Sequence, residues 1–209
     1  MNYVVMDLEW NQPNARYRAE RNGVRLHGEI VEIGAVRVNE DMEILERYCE
    51  FIKPECYPKM NRKVTELTDI TNEMIEGGRP FREVMAEFLE WCGEDAFLTW
   101  SENDIIMIED NMLFHGMEID DLPRCYDMQL LFDDQITQED RPFALSYAMW
   151  KLDIKPERSH DALNDAINTV RVLRELDLSE GIEEYEIYSM RYDGYALYMQ
   201  EEVGNHGTV

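Results

Sequence analysis

At 209 residues, with 44% hydrophobic and 11% aromatic side chains, the chain is long enough for one domain with a sizeable core. Its 45 acidic against 20 basic residues give a formal charge of -25. That charge argues against broad attraction to a polyanion unless carboxylates hold cations and positive charge gathers where the polyanion would approach. Cys49, Cys56, Cys92 and Cys125 form no C-x-x-C pair and have no clustered histidines, which argues against a zinc site or a disulfide framework and favours reduced, cytoplasmic thiols. No apolar run approaches the roughly 20 residues of a membrane span, and the start lacks the basic region of a secretory signal, so a cytoplasmic protein with no membrane partner is expected.

In chain order, Tyr3 to Trp10 is a nearly unbroken apolar run, which predicts a strand buried on both faces. Residues 11 to 28 read as polar and irregular. Glu29 to Val38 predicts a second strand, Asn39-Glu40-Asp41 a turn, and Glu43 to Lys53 a third strand in antiparallel pairing, ended by Pro54 and Pro58. Thr65 to Glu76 suggests two short helices, and Pro80 opens a clearer one carrying Phe81, Val84, Met85, Phe88, Leu89 and Trp91 at helical spacing, closed by Gly93. Ala96 to Trp100 predicts a short strand, Asn103 to Phe114 a helix, Arg124 to Met128 a last strand, and Phe143 to Trp150 and Ala162 to Leu176 two further helices. Three strands followed by alternating helix and strand imply a three-layer α/β domain with a mixed sheet. From Glu175 onward nine acidic residues face one basic residue, Arg191, and five tyrosines appear; Tyr185, Tyr188 and Tyr192 have helical spacing, predicting a docked helical extension over 177–209 beside a domain of 1–176.

The chemistry lies in the carboxylates. Asp7 and Glu9, two apart on the first strand, share one face of a segment otherwise too apolar for them. An ionised carboxylate in such a place needs a partner or a metal, although a strand end emerging into water would also accommodate both. In Ser159-His160-Asp161-Ala162-Leu163-Asn164-Asp165, Ser159 reads as the N-cap and His160 lies at the helix mouth. Asp161 serves the helix dipole, and Asp165, about one and a half turns in, is the candidate ligand. Between these segments, Leu98-Thr99-Trp100-Ser101-Glu102-Asn103-Asp104 brings acidic residues to the start of a helix, with nothing local selecting Asp104 over Glu102.

With these motifs in order, the sequence resembles the DEDD exonuclease superfamily, specifically its histidine-containing branch. Val4-Val5-Met6-Asp7-Leu8-Glu9 matches the first motif, Asp104 the second, and His160 to Asp165 the third, H-x-x-x-x-D. Ile30 to Val36 and Glu66-Leu67-Thr68-Asp69-Ile70-Thr71 resemble further family segments, and the likeness spans residues 2 to 176. It departs from the family where an aromatic usually precedes the second Asp, here Asn103, and where a glycine is usual, here Asp69. The resemblance implies an RNase H-like fold with a mixed five-stranded sheet flanked by helices. It further implies a 3'-to-5' exonuclease in which Asp7, Glu9, Asp104 and Asp165 hold two divalent cations, Mg²⁺ or Mn²⁺, about 3.5 to 4 Å apart. His160 is then the general base, its imidazole being the side chain whose ordinary pKa lies nearest neutrality. The expected substrate is nucleic acid with a free 3' end, RNA favoured over DNA, releasing nucleoside 5'-monophosphates.

Such a substrate meets positive charge in residues 11 to 28, where Arg16, Arg18, Arg21 and Arg25 stand against one acid, Glu20. These arginines contact backbone phosphates or else pair with the acidic body. Trp10, beside Glu9, is open to base stacking or core packing, and Leu67 and Thr68 fall in the segment that resembles the family's substrate side. Lys151, Lys155 and Arg158 form a second small basic cluster just before His160. The tyrosine-rich extension offers an interface for a second copy or another protein. A catalytically silent interaction module of the same fold remains the alternative function, and an RNase H-like endonuclease the alternative chemistry.

Overall fold

The structure, a computed structural model, describes residues 2–13, 18–120, 122–139, 141–156 and 160–188. Strand β1 (Asn2–Asn11) is followed by a small hairpin, β2 (Glu20–Arg21) and β3 (Val24–Arg25), then by the long strands β4 (Glu29–Asn39) and β5 (Ile44–Lys53). Helices α1 (Arg62–Thr68) and α2 (Asn72–Glu76) lead to a two-residue strand β6 (Arg79–Pro80), helix α3 (Phe81–Cys92), strand β7 (Ala96–Thr99) and helix α4 (Asn103–Phe114). Strand β8 (Cys125–Asp127), helix α5 (Met128–Phe132), a π-helical turn over Asp133–Thr137, α6 (Leu145–Lys151) and α7 (Ala162–Leu173) complete the body. The main sheet runs β6-β5-β4-β1-β7-β8, antiparallel from β5 through β4 to β1 and parallel from β1 to β7 to β8.

This is the expected three-layer α/β architecture, with a sixth strand beyond the five anticipated. The extra strand, β6, is parallel to β5 through Ile52–Arg79 and Lys53–Pro80. Pro80 carries no N–H, so it is tolerated at a sheet edge while also standing at the N-cap of α3. The segment expected to be irregular also differs, since Arg21-Asn22-Gly23-Val24 closes a hairpin with φ 55° at Asn22 and 76° at Gly23. Both central residues lie in the left-handed region that Asn-Gly adopts readily. Ala19, Val24, Leu26, Tyr57 and Phe114 form a small core beneath it, and the Tyr57 hydroxyl accepts from Ala19 N–H at 3.0 Å and donates to the Leu26 carbonyl at 2.8 Å.

The two faces of β1 are buried under different helices. Val4, Met6 and Leu8 join the cluster beneath α3 and α4, whereas Val5 joins the cluster beneath α6 and α7. Alternation therefore turns Asp7 and Glu9 toward the α7 side. In the β1–β4 register Asp7 faces Gly34 and Glu9 faces Glu32, so these four positions share that face. Gly34 is where α7 lands: a Cβ there would overlap the backbone of Ala162 and Leu163. Only a glycine lets the first turn of α7 settle this close to the sheet.

Beyond Leu176 the chain continues along the body, with Ile182 and Tyr185 buried in the α6–α7 cluster. The helical spacing of Tyr185 and Tyr188 is not realised. A 3-10 turn over Glu183–Tyr185 passes into extended chain, where Glu186 bridges Tyr126 and Ile187 N–H donates to the Cys125 carbonyl at 2.8 Å. Strand β8 is the sheet edge, and its free backbone groups bind the chain more directly than a helix would. The remaining tyrosines, Tyr192, Tyr195 and Tyr198, lie outside the described residues. No described helix is long and apolar enough to cross a membrane.

Replacing Gly34 with Ala forces α7 outward, because the overlap is with backbone and no rotamer relieves it. Overpacking of this kind costs about 1–3 kcal/mol. A displacement near 1 Å of the residues riding on α7 lowers turnover by up to about 100-fold. Thermal unfolding and kcat of Gly34→Ala against the parent check both; unchanged values would show that α7 does not rest on this contact.

Candidate active site

The first two carboxylates come from β1 by alternation, flanked by fully buried Met6 and Leu8. Asp104 comes from a parting of the sheet. Strand β7 pairs with β1 only through Tyr3, Val4 and Val5 and then turns away, leaving the Leu8 N–H without a strand partner. The Asp104 carboxylate takes that bond, its Oδ1 accepting from Leu8 N–H at 3.1 Å. The turn between β7 and α4 runs through Ser101 at φ 110°, with the Thr99 hydroxyl donating to the Ser101 carbonyl at 2.7 Å. It leaves Glu102 exposed and Asp104 buried.

The start of α7 differs from the sequence reading. Its N-cap is Asp161, not Ser159, with Asp161 Oδ1 accepting from Asn164 N–H at 3.1 Å. Ser159 lies outside the described residues. The later start puts Asp165 in the first turn instead of one and a half turns inside. Aspartate is as good a cap as serine, and the close approach to Gly34 sets where the helix begins. Asp165 is held twice, Oδ2 accepting from the His160 N–H at 2.7 Å and Oδ1 from the Asn168 amide at 3.1 Å. His160 sits at φ 59° with its side chain exposed, so the backbone is pinned by Asp165 while the imidazole stays free to face the cleft.

Glu9, His160 and Asp165 each offer a ligand atom, and the three atoms lie within 4.8 Å of one another. Around them the carboxylates oppose one another's ionisation. Burial, then the charges of Asp104, Asp165, Glu9 and Glu32, hold the Asp7 carboxyl well above the usual range. Burial and then Glu32, Asp165 and Asp104 push Glu9 to about 8. Asp104 rises to about 7, chiefly through burial, against the lowering effect of its bond to Leu8. Such a group of oxygen donors, costly to ionise together, fits a hard divalent cation that would neutralise them.

Glu32 was not singled out from the sequence. It is buried opposite Glu9, and its Oε2 accepts from Ala162 N–H at 3.4 Å, tying the first turn of α7 to β4. A charged residue inside Ile30-Val31-Glu32-Ile33 was the available signal. Asn11, also missed, is fully buried; its side chain donates to the Tyr57 and Lys59 carbonyls and accepts from Asn61 N–H at 2.8 Å, so the end of β1 anchors the start of α1.

The expected substrate residues are more dispersed. Trp10 is half-buried over Gly28, where a Cβ would come within 2.6 Å of its ring, and it packs against the α3–α4 cluster. Leu67 is 56% exposed on α1. Thr68 is buried, its hydroxyl donating to the Val64 carbonyl and accepting from Ile70 N–H. Asp69, where the family favours glycine, takes the left-handed C-cap position at φ 61°. Arg21 pairs with Glu55 at 2.6 Å and lies over the Phe114 ring, so it is committed to the body. Arg25 is exposed, Arg18 is half-buried, and Arg16 and Arg158 lie outside the described residues.

Fold and site together define a nuclease of the carboxylate, divalent-metal-dependent class. The comparisons agree: the RNase_T family model, described as exonuclease, matches residues 4–173. The chain is 21% identical over 178 residues to the probable 3'-5' exonuclease KapD of Bacillus subtilis, covering 82% of each. It is 32% identical over 144 residues to the PolC-type DNA polymerase III of Thermotoga petrophila, covering 69% of this chain but only 10% of the polymerase. The chain thus spans most of KapD and about a tenth of the polymerase. Among solved structures it superposes on the nuclease domain of 3'hExo, a DEDDh family member bound to rAMP, with TM-score 0.75 at 17% identity over 90% of this chain and 97% of that one. Exonuclease X in complex with 5' overhanging duplex DNA gives TM-score 0.58 at 14% identity, covering 88% and 95%. The chain belongs to the RNase_T exonuclease family.

A carboxyl whose pKa is raised by folding binds its proton more tightly when folded, so its contribution to stability is lost as pH rises from the unfolded to the folded value. For Asp104 and Glu9 that window runs from the ordinary values of 3.8 and 4.5 to about 7 and about 8. Metal-free protein should therefore lose thermal stability between pH 5 and pH 8. Added Mn²⁺ or Mg²⁺ should restore it, with a gain that grows with pH as cations replace protons. Asp7→Asn should raise the metal-free Tm at pH 8 and shrink the metal-induced gain; a Tm indifferent to pH and metal would contradict this electrostatic picture.

Proposed function

We propose that the protein removes nucleoside 5'-monophosphates from the 3' end of single-stranded RNA or DNA, RNA being favoured, with Asp7, Glu9, Asp104 and Asp165 holding two Mg²⁺ or Mn²⁺ ions. The observation that carries this reading is the convergence of Glu9, His160 and Asp165, with His160 exposed, beside a carboxylate group that includes half-buried Asp7 and buried Glu32 and Asp104. When bound, the cations supply neutralisation of the carboxylates and Lewis-acid assistance to phosphodiester hydrolysis. Asp165 orients His160 through the backbone bond at 2.7 Å, leaving the imidazole free to take a proton from the attacking water. Asp104 holds β1 in register with α4, so its second oxygen and those of Asp7 and Glu9 keep fixed positions.

The preference for RNA is supported by the ribonucleotide in the well-superposed 3'hExo domain and by the histone mRNA stem-loop in a related structure of TM-score 0.74, against a lower score for the DNA-bound exonuclease X. Exposed Leu67 is available to a terminal base. Residues 177–188 dock through Ile182 and Tyr185, and the acidic composition of residues 177–209 suits a protein partner better than nucleic acid.

A 5'-labelled single-stranded RNA and its DNA counterpart, incubated with Mn²⁺ or Mg²⁺, should both ladder from the 3' end, the RNA faster. Internal cleavage would indicate an endonuclease, and retention without cleavage a silent binding module. His160→Ala should reduce kcat by about 10²–10⁴-fold with fold and metal response intact. In contrast, Asp161→Ala should cost about 1 kcal/mol of stability as a lost cap while keeping most of the activity at a temperature where it remains folded.

A further inference from the structure

Helix α6 carries a feature that the hydrolytic site does not use. Its buried side supplies Ala148 and Met149 to the core, yet Trp150, in its last turn, is 72% exposed. Trp150 is the outer end of a ladder. Its ring lies 5.6 Å from that of Tyr147, which stacks on Phe143 at 4.3 Å with 20° between planes, and the Arg141 guanidinium covers Phe143 at 4.4 Å. Tyr147 and Trp150 stand three residues apart, so the helix presents both rings on one side.

The ladder is tied to the two segments that complete the site. The Phe143 carbonyl accepts from the Trp100 indole N–H at 3.0 Å, in the turn that leads to Asp104, and from the Gln129 amide at 2.7 Å. From its other end the chain passes through Lys151 and Lys155 toward His160, and α6 packs against α7. The charge is locally inverted: Arg141, Lys151 and Lys155 stand against Asp153 across residues 141–155, in a chain of net charge -25. Arg141 also pairs with Glu139 at 2.9 Å, but among the described residues neither lysine has an ion-pair partner.

An exposed indole continuing a stack, flanked by cations in an otherwise acidic molecule, matches the chemistry of a flexible polyanion with flat bases. A protein surface would need a broader apolar patch. We propose that Trp150 and Tyr147, with Lys151 and Lys155, form an upstream subsite that stacks one base and neutralises adjacent phosphates of the single strand, several nucleotides from its 3' end. This rests on the single-strand exonuclease reading and adds where the rest of the strand lies. The subsite strengthens binding of longer strands without touching the reacting phosphodiester.

The test compares KM and kcat, with Mn²⁺ and the full chain, for a 12-nucleotide single strand and a dinucleotide. Trp150→Ala should raise KM for the 12-mer by about tenfold, the effect of one lost stacked base, with kcat and both dinucleotide constants unchanged. Trp150→Phe should retain most of the 12-mer affinity. Lys151→Ala with Lys155→Ala should lower the slope of log KM against log salt by about 1.4, two phosphate contacts on a single strand. An unchanged 12-mer KM in Trp150→Ala while the parent degrades both substrates overturns the subsite alone. Failure of the parent to degrade either substrate overturns the exonuclease reading and the subsite with it. Loss of self-association in Trp150→Ala with an unchanged 12-mer KM would make this face a protein interface and also overturn the subsite.

Discussion

The contact of the first turn of α7 with Gly34 on β4 is the constraint from which the rest of the site follows. Gly34 stands opposite Asp7 in the register, so whatever rests on it comes to lie over β1 and its two carboxylates. Because that contact is backbone against backbone, α7 has little freedom to slide, and Glu32 anchors its Ala162 N–H to the same strand. His160 and Asp165 thereby reach Glu9 from a segment more than 150 residues away in sequence. Precision of this kind comes from placing functional groups on regular elements rather than on free loops.

Bringing carboxylates together works against the folded state, and the structure answers locally only in part. Asp104 accepts a backbone N–H from Leu8 and Asp165 a backbone and an amide N–H, but Glu9 and Glu32 still raise the Asp7 carboxyl's affinity for its proton, and Glu32 raises that of Glu9. Divalent cations bound there would resolve that opposition and would link folding, metal binding and activity to the same few groups. They also reconcile a chain of net charge -25 with a polyanionic substrate, since the most concentrated carboxylates would then face cations. Elsewhere the positive charge is divided. Arg21 of the hairpin is committed to Glu55, whereas Lys151 and Lys155 stand without ion-pair partners among the described residues.

The family motifs, the antiparallel three-strand start and the later alternation of helix and strand were legible because each is encoded in residues adjacent along the chain. Asp7 and Glu9 could be paired from a period of two, and the β4–β5 hairpin from a three-residue turn. Some features were legible but missed. Asn22-Gly23 is a strong hairpin signal hidden in a polar stretch, and Glu32 is a charge inside an apolar strand. The N-cap of α7 was misplaced because Ser159 and Asp161 are both good caps, and local preference does not choose between them.

By itself the sequence determined the kind of chemistry: which carboxylates and which histidine are present, in what order, and on which face of β1 two of them lie. Tertiary structure alone brought Asp104, and not Glu102, to the Leu8 N–H where β7 leaves the sheet. It alone placed Asp165 in the first turn of α7 and His160 beside Glu9, because those positions depend on how closely two distant backbones approach at Gly34. Residue type and spacing describe what a short segment prefers. Which preferences meet in space is decided by contacts between segments far apart in the chain, and the site is made of such contacts.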